Sequence, residues 1–373
     1  MLVVVKFETD DRDVLLTKLL QVLQPTQLEI VVVCSNYVGI VHAGELSGQP
    51  EAHDAEEMPI LRRVSRYVRS QEKIAREVWR LRTRASCYLF FTGGSLMLLP
   101  AIAVRLARRE LKIMATGIGY RSVLVNEQQR GTLLARVIGG LTLLLETATL
   151  AMAHRIGVES LLLIRKPPVS LFSSKVSVIN LGIDTAKHFP NRPLQGRQFL
   201  AAFVGRLSYE KGADVAVRAF GLVQERSAKF LVAGDGPLLR NIVRMVDSGD
   251  LADRVRVTGW VSPSEIPRML NDVRFLVQPS FTEGLPNVIL EAMANGVIVV
   301  ATAVGGVPDV LKEGLTGFVI PRPEASETAK VLERAMSDKN LEQIAESALA
   351  LVRETYSLET AAYGFARFLA GAS

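Results

Sequence analysis

Residues 280–296 read SFTEGLPNVILEAMANG, and this stretch indicates both the fold and the function. Its two acids are Glu283 and Glu291, and Glu291 is the only charged side chain between residues 284 and 308. We expect Glu291 to be largely buried, and a buried carboxylate needs a hydrogen-bond or ionic partner. Pro286 suits the first turn of a helix and Gly296 its carboxyl end, so Glu291 should lie one turn inside a short helix.

Glu283 precedes this helix, on a loop close to the unpaired N–H groups and the positive end of the helix dipole. Such a loop and helix N-terminus can receive a phosphate, with one carboxylate at each end to bind hydroxyl groups. The alternative is a helix that contains a salt-bridged glutamate and no ligand site. The spacing alone does not decide between the two, and the neighbouring segments favour the phosphate site.

Residues 199–212 read FLAAFVGRLSYEKG, an apolar strand followed by a glycine turn and the start of a helix. This order places Arg206 and Lys211 at the carboxyl end of a strand, where open α/β sheets bind ligands. A guanidinium and an ammonium five residues apart can hold a diphosphate from two sides. Alternatively, Glu210 neutralises one of these cations at the surface.

Later segments repeat the pattern of an apolar strand that ends in a turn. They are KFLVAGDGP, VRVTGWV, VRFLVQPS and VIVVATAVGG, in this order along the chain. Strands that alternate with helices over about 150 residues predict a parallel sheet with helices on both faces. Each candidate ligand residue then lies just after a strand, as a nucleotide site on such a sheet requires.

These segments resemble those of retaining GT-B glycosyltransferases of the family-four type, most specifically over residues 177–318. The resemblance implies an α/β fold in which two Rossmann-like parallel-sheet domains face a cleft. It also implies that Arg206 and Lys211 hold the diphosphate of the donor. By the same resemblance Glu283 contacts the transferred sugar and acts with the two cations in catalysis, and Glu291 binds the ribose hydroxyls. The other implied donor-binding residues are Gly205, Gly234, Gly284, Leu285, Asn287 and Val288.

The implied reaction moves a sugar from a nucleotide-diphospho-sugar to a hydroxyl of a glycan or lipid-linked acceptor, with retention of the anomeric configuration. No Asp-x-Asp motif appears where a donor would lie, so we expect neither a metal ion nor a cofactor. No side chain is placed to act as a general base, so the departing phosphate oxygen itself would take the acceptor's proton. Three other functions stay open: a GT-B sugar-nucleotide epimerase or hydrolase, a non-catalytic partner protein, and a basic nucleic-acid-binding protein.

The length of 373 residues suits two domains. We expect an acceptor-binding domain over residues 1–188, a donor-binding domain over residues 189–355, and a linker at residues 188–197. A terminal helix, residues 356–370, should cross back to the first domain. In that first domain, the uncharged run at residues 88–104 and the apolar run at residues 137–146, which ends in Glu146, are predicted to be buried core elements and not membrane spans.

The first domain departs from the family pattern in its loops. Residues 7–10, FETD, follow the first strand where relatives carry a glycine-rich loop. Gly93-Gly94 and residues 116–119 could supply the missing loop contacts. The histidines of the chain lie in no matching motif, and we expect them to be structural or solvated; they are His42, His53, His154 and His188.

Positive charge is concentrated in the first half. Residues 1–190 hold 24 Lys and Arg against 17 Asp and Glu, a net charge of +7, and residues 191–373 hold 20 against 21, a net charge of −1. Nine cations and two acids lie in residues 62–84, beside an apolar stripe of helical spacing. Residues 60–84 therefore predict either an ordinary solvated helix or contact with an anionic membrane surface. No nucleic-acid motif accompanies the charge, and no secretory signal precedes the first strand, which favours a cytoplasmic protein on the inner membrane face.

Overall fold

The computed structural model describes residues 1–6, 14–36, 38–40, 60–117, 119–127, 132–247 and 251–371. The chain forms two compact units. The first unit comprises Met1–Gly182 and Leu358–Ser373, and the second comprises Ile183–Ser357. Compared with the expected boundary at residue 188, the division falls six residues earlier. The segments at residues 7–10, His42 and His53 lie outside the described residues.

The first unit is built on a seven-stranded sheet rich in β-branched residues. Its strands are β1 (Leu2–Val5), β2 (Ile30–Val33), β3 (Val38–Ile40), β4 (Cys87–Phe90), β5 (Glu110–Ala115), β6 (Arg155–Val158) and β7 (Val176–Val178). Their order is β3-β2-β1-β4-β5-β6-β7, and all neighbours are parallel except β2 and β3. Strands buried on both faces carry continuous apolar runs, as β1 and β4 do.

Helices cover both faces of this sheet. They are α1 (Val14–Leu23), α2 (Ile60–Arg80), α3 (Leu98–Leu106), α4 (Gly119–Glu127), α5 (Thr132–Met152), α6 (Leu161–Ile164) and α14 (Leu358–Ala370). α2, α3 and α5 pack in one apolar cluster with Val3, Tyr88 and Ile113. α1 and α14 pack in another cluster with Leu2 and Val4. Because successive strand residues point to opposite faces, the two helix groups lie on opposite sides of the sheet.

The prediction for the run at residues 88–104 is confirmed, since it forms β4, a glycine turn and α3. The prediction that residues 137–146 form a buried core element is wrong. α5 has a window, Ala135–Met152, that is long and apolar enough to cross a membrane, and only 28% of that window is buried. Several leucines of α5 face outward, while its single acid, Glu146, is buried. The spacing of apolar residues did not reveal this, because the apolar side of α5 faces outward and its acid is buried.

The apolar stripe predicted at residues 60–84 is divided by the fold. Ile74 and Val78 of α2 are completely buried against the first sheet, whereas Val64 and Val68 are about half exposed. The carboxyl half of the stripe therefore holds α2 on its own unit and is not available to a membrane. The outward side of the helix, opposite Ile74, carries the cations.

The second unit contains a six-stranded, wholly parallel sheet. Its strands are β8 (Phe199–Val204), β9 (Phe230–Ala233), β10 (Val255–Gly259), β11 (Val273–Gln278), β12 (Ile298–Thr302) and β13 (Gly317–Ile320). Their order is β10-β9-β8-β11-β12-β13. The helices are α7 (Ala213–Leu222), α8 (Leu239–Asp247), α9 (Ile266–Leu270), α10 (Asn287–Ala294), α11 (Val307–Val310), α12 (Ala325–Met336) and α13 (Leu341–Thr355). Two apolar clusters, one on each face of the sheet, form the core.

The predicted linker at residues 188–197 lies inside the second unit, where buried polar contacts hold it. Arg197 is 6% exposed and donates from Nη1 to Val273 O at 2.9 Å and from Nη2 to Asn295 O at 2.9 Å. Burial lowers the pKa of Arg197 to about 10. Asn295 Nδ2 in turn lies 2.8 Å from Nδ1 of the buried His188. This network joins the predicted linker to the end of α10, because Asn295 directly follows that helix.

Replacement of Arg197 by Met should destabilise the second unit by about 3 kcal/mol, because buried carbonyl groups lose donors from a charged group. The chain has two tryptophans, Trp79 in the first unit and Trp260 in the second. Trp79→Phe chains would therefore report unfolding of the second unit through Trp260 fluorescence in a urea titration. Arg192→Met is the matched control, since it removes only a surface pair with Asp272 and should cost at most about 1 kcal/mol. Equal losses in the two variants would contradict the role of Arg197.

Candidate functional site

The sheet of the second unit reverses its strand order between β8 and β11. From β8 the chain proceeds outward through β9 and β10, and from β11 it proceeds the other way through β12 and β13. Loops at the carboxyl ends of β8 and β11 diverge at such a switch point and leave a crevice where open α/β sheets bind ligands. Gly205–Gly212 follows β8, and residues 279–286 follow β11. The predicted site residues of both loops therefore meet at this point.

The loops at this edge pack backbone against backbone, and glycines make that contact possible. A Cβ atom on Gly234 would lie 1.8 Å from Gly205 O, and one on Gly212 would lie 2.1 Å from Pro279 O. A Cβ atom on Gly305 would lie 2.0 Å from Glu283 O. All three glycines have positive φ as well. The loops after β8, β9, β11 and β12 therefore form one closely packed rim.

Lys211 and Glu283 form an ion pair across the switch point. The Glu283 side chain is 4% exposed, and its Oε1 also accepts a 2.8 Å hydrogen bond from Ser280 Oγ. The Lys211 side chain is less buried than that of its partner and remains partly exposed to solvent. The structure thus brings together two residues that the sequence proposed separately, as diphosphate ligand and sugar ligand.

Arg206 lies on the same rim, with its Nη1 3.9 Å from Glu210 Oε1. The side chain of Arg206 is 53% exposed, and this contact is long for an ion pair. The contact with Glu210 that was the alternative to a ligand role is therefore present, and about half of the Arg206 side chain is exposed. An exposed pair at this distance contributes little to stability, at most about 1 kcal/mol.

Glu291 lies on α10, one turn after its first residue, Asn287, as predicted. The helix ends at Ala294, and Gly296 follows it with a φ of +64°. The expectation that Glu291 is largely buried is confirmed, although part of the residue is exposed. A partly exposed carboxylate on a helix can meet a ligand without losing all its hydration.

The residues before α10 present backbone groups at the rim. Gly284 O accepts a 2.5 Å hydrogen bond from Gly306 N, which fixes the loop after β11 to the loop after β12. Leu285 is buried in the core of the second unit. Asn287 and Val288 form the first turn of α10, and both are partly buried. This first turn has N–H groups that the helix itself does not use, as an anion site requires.

Glu146 is a buried acid of the first unit that the sequence analysis did not single out. It is 1% exposed, and its carboxylate accepts hydrogen bonds from Gly119 N at 3.0 Å, Tyr120 N at 3.1 Å and Ser95 Oγ at 3.1 Å. Burial raises the pKa of the Glu146 carboxyl group, although these hydrogen bonds oppose the shift. Gly119 must be small, since a Cβ atom there would lie 2.8 Å from Glu146 Oε1.

Glu146 thereby connects two loops at the carboxyl edge of the first sheet. Ser95 lies after β4, and Gly119 lies after β5. Gly93-Gly94 and residues 116–119, which were expected to supply loop contacts, belong to these same loops. A lone acid within a long apolar run was the signal in the sequence that could have identified Glu146.

No group of three or more potential metal-ligating side chains occurs within the described part of the chain. The absence of a metal requirement stays a prediction. His154, which was expected to be structural, accepts a hydrogen bond from Leu111 N through Nδ1 at 2.9 Å. Desolvation and the nearby Arg105 lower the pKa of His154.

Comparison with known proteins relates the second unit to a family. Residues 184–349, which are less than half of the chain, match the family model of the glycosyl transferases group 1. The chain is 36% identical over 165 residues to alpha-D-kanosaminyltransferase of Streptomyces kanamyceticus, which is 43% of each chain. It is 32% identical over 167 residues to the phosphatidylinositol N-acetylglucosaminyltransferase gpi3 subunit of Schizosaccharomyces pombe, which is 44% of this chain and 36% of that protein. The match thus spans less than half the length of these curated relatives.

Solved structures extend the likeness to the whole chain. The structure of Anabaena Alr3699/HepE in complex with UDP-glucose superimposes with a TM-score of 0.73 at 17% identity, over 100% of both chains. At this identity the likeness shows the fold alone. The predicted fold class is therefore confirmed: the protein has the two Rossmann-like, parallel-sheet domains of the GT-B class.

Titration of Glu146 should make the stability of the first unit depend on pH. Because its pKa is raised in the folded state, the stabilisation from protonation is complete below the ordinary carboxyl range and is lost as pH rises through the raised pKa. The free energy of unfolding of wild type minus that of Glu146→Gln should therefore fall as the pH rises above the ordinary carboxyl range. Trp260→Phe chains would report the first unit through Trp79 fluorescence. Glu29→Gln, at an exposed site, is the control. If the difference in unfolding free energy between wild type and Glu146→Gln varies with pH no more than the difference for Glu29→Gln, the titration of Glu146 is contradicted.

Proposed function

We propose that the protein is a retaining glycosyltransferase that uses a nucleotide-diphospho-sugar donor and a hydroxyl acceptor. The observation that carries the proposal is the Lys211–Glu283 ion pair at the switch point of the second sheet, within the segment that matches the family. A cation and a carboxylate on one rim can bind the two chemically different parts of such a donor. The cation suits the diphosphate, and the carboxylate suits the hydroxyl groups of the sugar.

Donor binding in this proposal uses the rim of the second unit. Lys211 and Arg206 would contact the diphosphate, with the first turn of α10 as a further source of N–H donors. Lys211 is neutralised by Glu283 before the ligand arrives, so the diphosphate must share the ammonium or displace the carboxylate. Glu291, one turn into α10 and partly exposed, would accept hydrogen bonds from the ribose.

The chemical step proposed is a substitution at the anomeric carbon of the donor sugar. The bond from this carbon to the diphosphate oxygen breaks, and a bond from the same carbon to the acceptor oxygen forms. The departing diphosphate oxygen takes the proton of the acceptor hydroxyl, so no protein base is needed. The protein contributes charge stabilisation of the leaving group by Arg206 and Lys211 and orientation of the sugar by Glu283.

The acceptor in this proposal is a glycan or a lipid-linked hydroxyl compound that the first unit binds. Both curated relatives are named for transfer of amino sugars, and one of them is named for a phosphatidylinositol acceptor. These names support sugar transfer by the matching donor unit. The sequence match to these relatives covers only that unit, so assays must identify the particular sugar and acceptor. We place the reaction in the cytoplasm, and we propose that it proceeds without a metal ion.

The first test of the donor site asks whether Arg206 and Lys211 recognise the diphosphate and not the base or the ribose. Arg206→Ala and Lys211→Ala should weaken binding of a nucleoside diphosphate about tenfold to a hundredfold, the effect of losing a hydrogen bond to a charged group. Binding of the corresponding nucleoside should not change. Calorimetric titration would follow a thermal-shift screen of UDP, GDP, ADP, CDP and dTDP that selects the base. Arg218→Ala, which removes a helix-surface pair with Asp214, is the matched control. Equal losses of affinity for the nucleoside and for the nucleoside diphosphate would count against diphosphate binding by Arg206 and Lys211.

A second test assigns the two glutamates. Glu283→Gln removes the charge that competes for Lys211, so affinity for the nucleoside diphosphate should stay equal or rise while turnover falls by about one to two decades. Glu291→Gln should instead weaken nucleotide binding by a similar factor. Turnover is measured as acceptor-dependent release of nucleoside diphosphate, and the anomeric proton coupling of the product reports retention. The proposed transfer would be refuted if Glu283→Gln kept the turnover of the wild type. It would also be refuted if nucleoside diphosphate were released without an acceptor.

A further inference from the structure

The outward face of α5 is apolar, which is unusual for a helix on the surface of a protein in water. Leu133, Val137, Leu141 and Leu144 are 76%, 52%, 62% and 68% exposed. Their spacing of four, four and three residues places them in one stripe along about three turns of the helix. Contiguous apolar surface of this kind marks an interaction site, whereas singly exposed leucines need no explanation.

The stripe cannot turn inward, because polar contacts fix the opposite side of α5. Glu146 accepts hydrogen bonds from the N–H groups of Gly119 and Tyr120 and from Ser95 Oγ, all of which lie outside α5. Gly139 lies against Leu124 of α4, where a Cβ atom would come within 2.7 Å of the leucine. Rotation of the helix would break these contacts and bury the leucines in place of a satisfied carboxylate. The apolar stripe is therefore a fixed property of the folded first unit.

Two neighbouring helices add positive charge on the same side of the first sheet. α2, α3 and α5 cover one face of the sheet, and α3 contacts both of the others. Together these helices contain nine cations and three acids, and one of the acids is the buried Glu146. Cations opposite the buried side of α2 include Arg62, Arg69 and Lys73, and all three are exposed. We call the outward surface of α2, α3 and α5 the basic–apolar face.

The geometry points to an anionic lipid bilayer as the occupant of the basic–apolar face. Leucines of α5 would enter the boundary between headgroups and acyl chains, and cations of α2 would meet lipid phosphates. A second copy of the chain is a poorer occupant, because a two-fold contact would bring two sets of these cations together. The helix lies on the bilayer and does not cross it, since Glu146 and its partners keep α5 on the sheet. This inference concerns binding and is independent of the proposed transfer reaction.

Co-sedimentation of the full chain with vesicles tests the proposal. Vesicles of phosphatidylcholine alone and of phosphatidylcholine mixed with phosphatidylglycerol are compared at low and high salt. We expect binding to the mixed vesicles at low salt, weakened by high salt. Arg69→Gln with Lys73→Gln should weaken binding about fivefold for each charge removed. Leu141→Ser with Leu144→Ser should weaken it at least about tenfold, because each leucine loses apolar contact with the lipid.

Matched controls and the oligomeric state complete the test. Leu222→Ser with Leu315→Ser changes two exposed leucines of the second unit, and Lys339→Gln with Arg353→Gln changes two of its exposed cations. Both controls should bind vesicles like the wild type, and unchanged circular dichroism would show that each variant is folded. Equal binding to neutral and anionic vesicles, or equal loss in the controls, would overturn the proposal. So would a stable dimer that Leu141→Ser with Leu144→Ser dissociates, because a second copy would then cover the face.

Discussion

Close backbone contact between neighbouring loops is the constraint on which the second unit depends. Gly234 against Gly205, Gly212 against Pro279 and Gly305 against Glu283 all leave no room for a Cβ atom. Four strands thus end in loops that cannot move apart independently. Because Lys211 and Glu283 are attached to these loops, their positions are set by backbone packing and not by side-chain flexibility. A rim of this kind is preorganised, which lowers the cost of ordering it around a ligand.

The sequence predicted this rim well because its signals are local. An apolar run followed by glycine and a charged residue is the pattern of a strand that ends at a ligand site, and it recurred after β8, β9 and β12. α10 was predicted with its glutamate one turn inside. The pairing of Lys211 with Glu283 could not be predicted, because it joins residues 72 positions apart through the order of strands in the sheet. The same limit applies to Arg197, whose partners come from three separate segments.

The first unit was harder to predict, and the reason is physical. The prediction for α5 assumed that apolar residues face inward, and α5 does not follow this pattern. Several of its leucines face outward, and its acid is buried, where the N–H groups of Gly119 and Tyr120 at the start of α4 donate to it. Strands β5 and β6 went unpredicted, since each has a charged residue within a short apolar run.

The Lys211–Glu283 pair also has a consequence for which anions the rim admits. An anion without hydroxyl groups, such as chloride or sulfate, offers a partner for Lys211 but no donor for Glu283, which would keep only its hydrogen bond from Ser280 Oγ. A ligand that carries phosphate next to hydroxyl groups can replace both halves of the pair at once. The ion pair would thus make binding depend on two chemical features of the ligand that arrive together. Anions that lack a hydroxyl donor would be disfavoured by the same contact that joins the two loops.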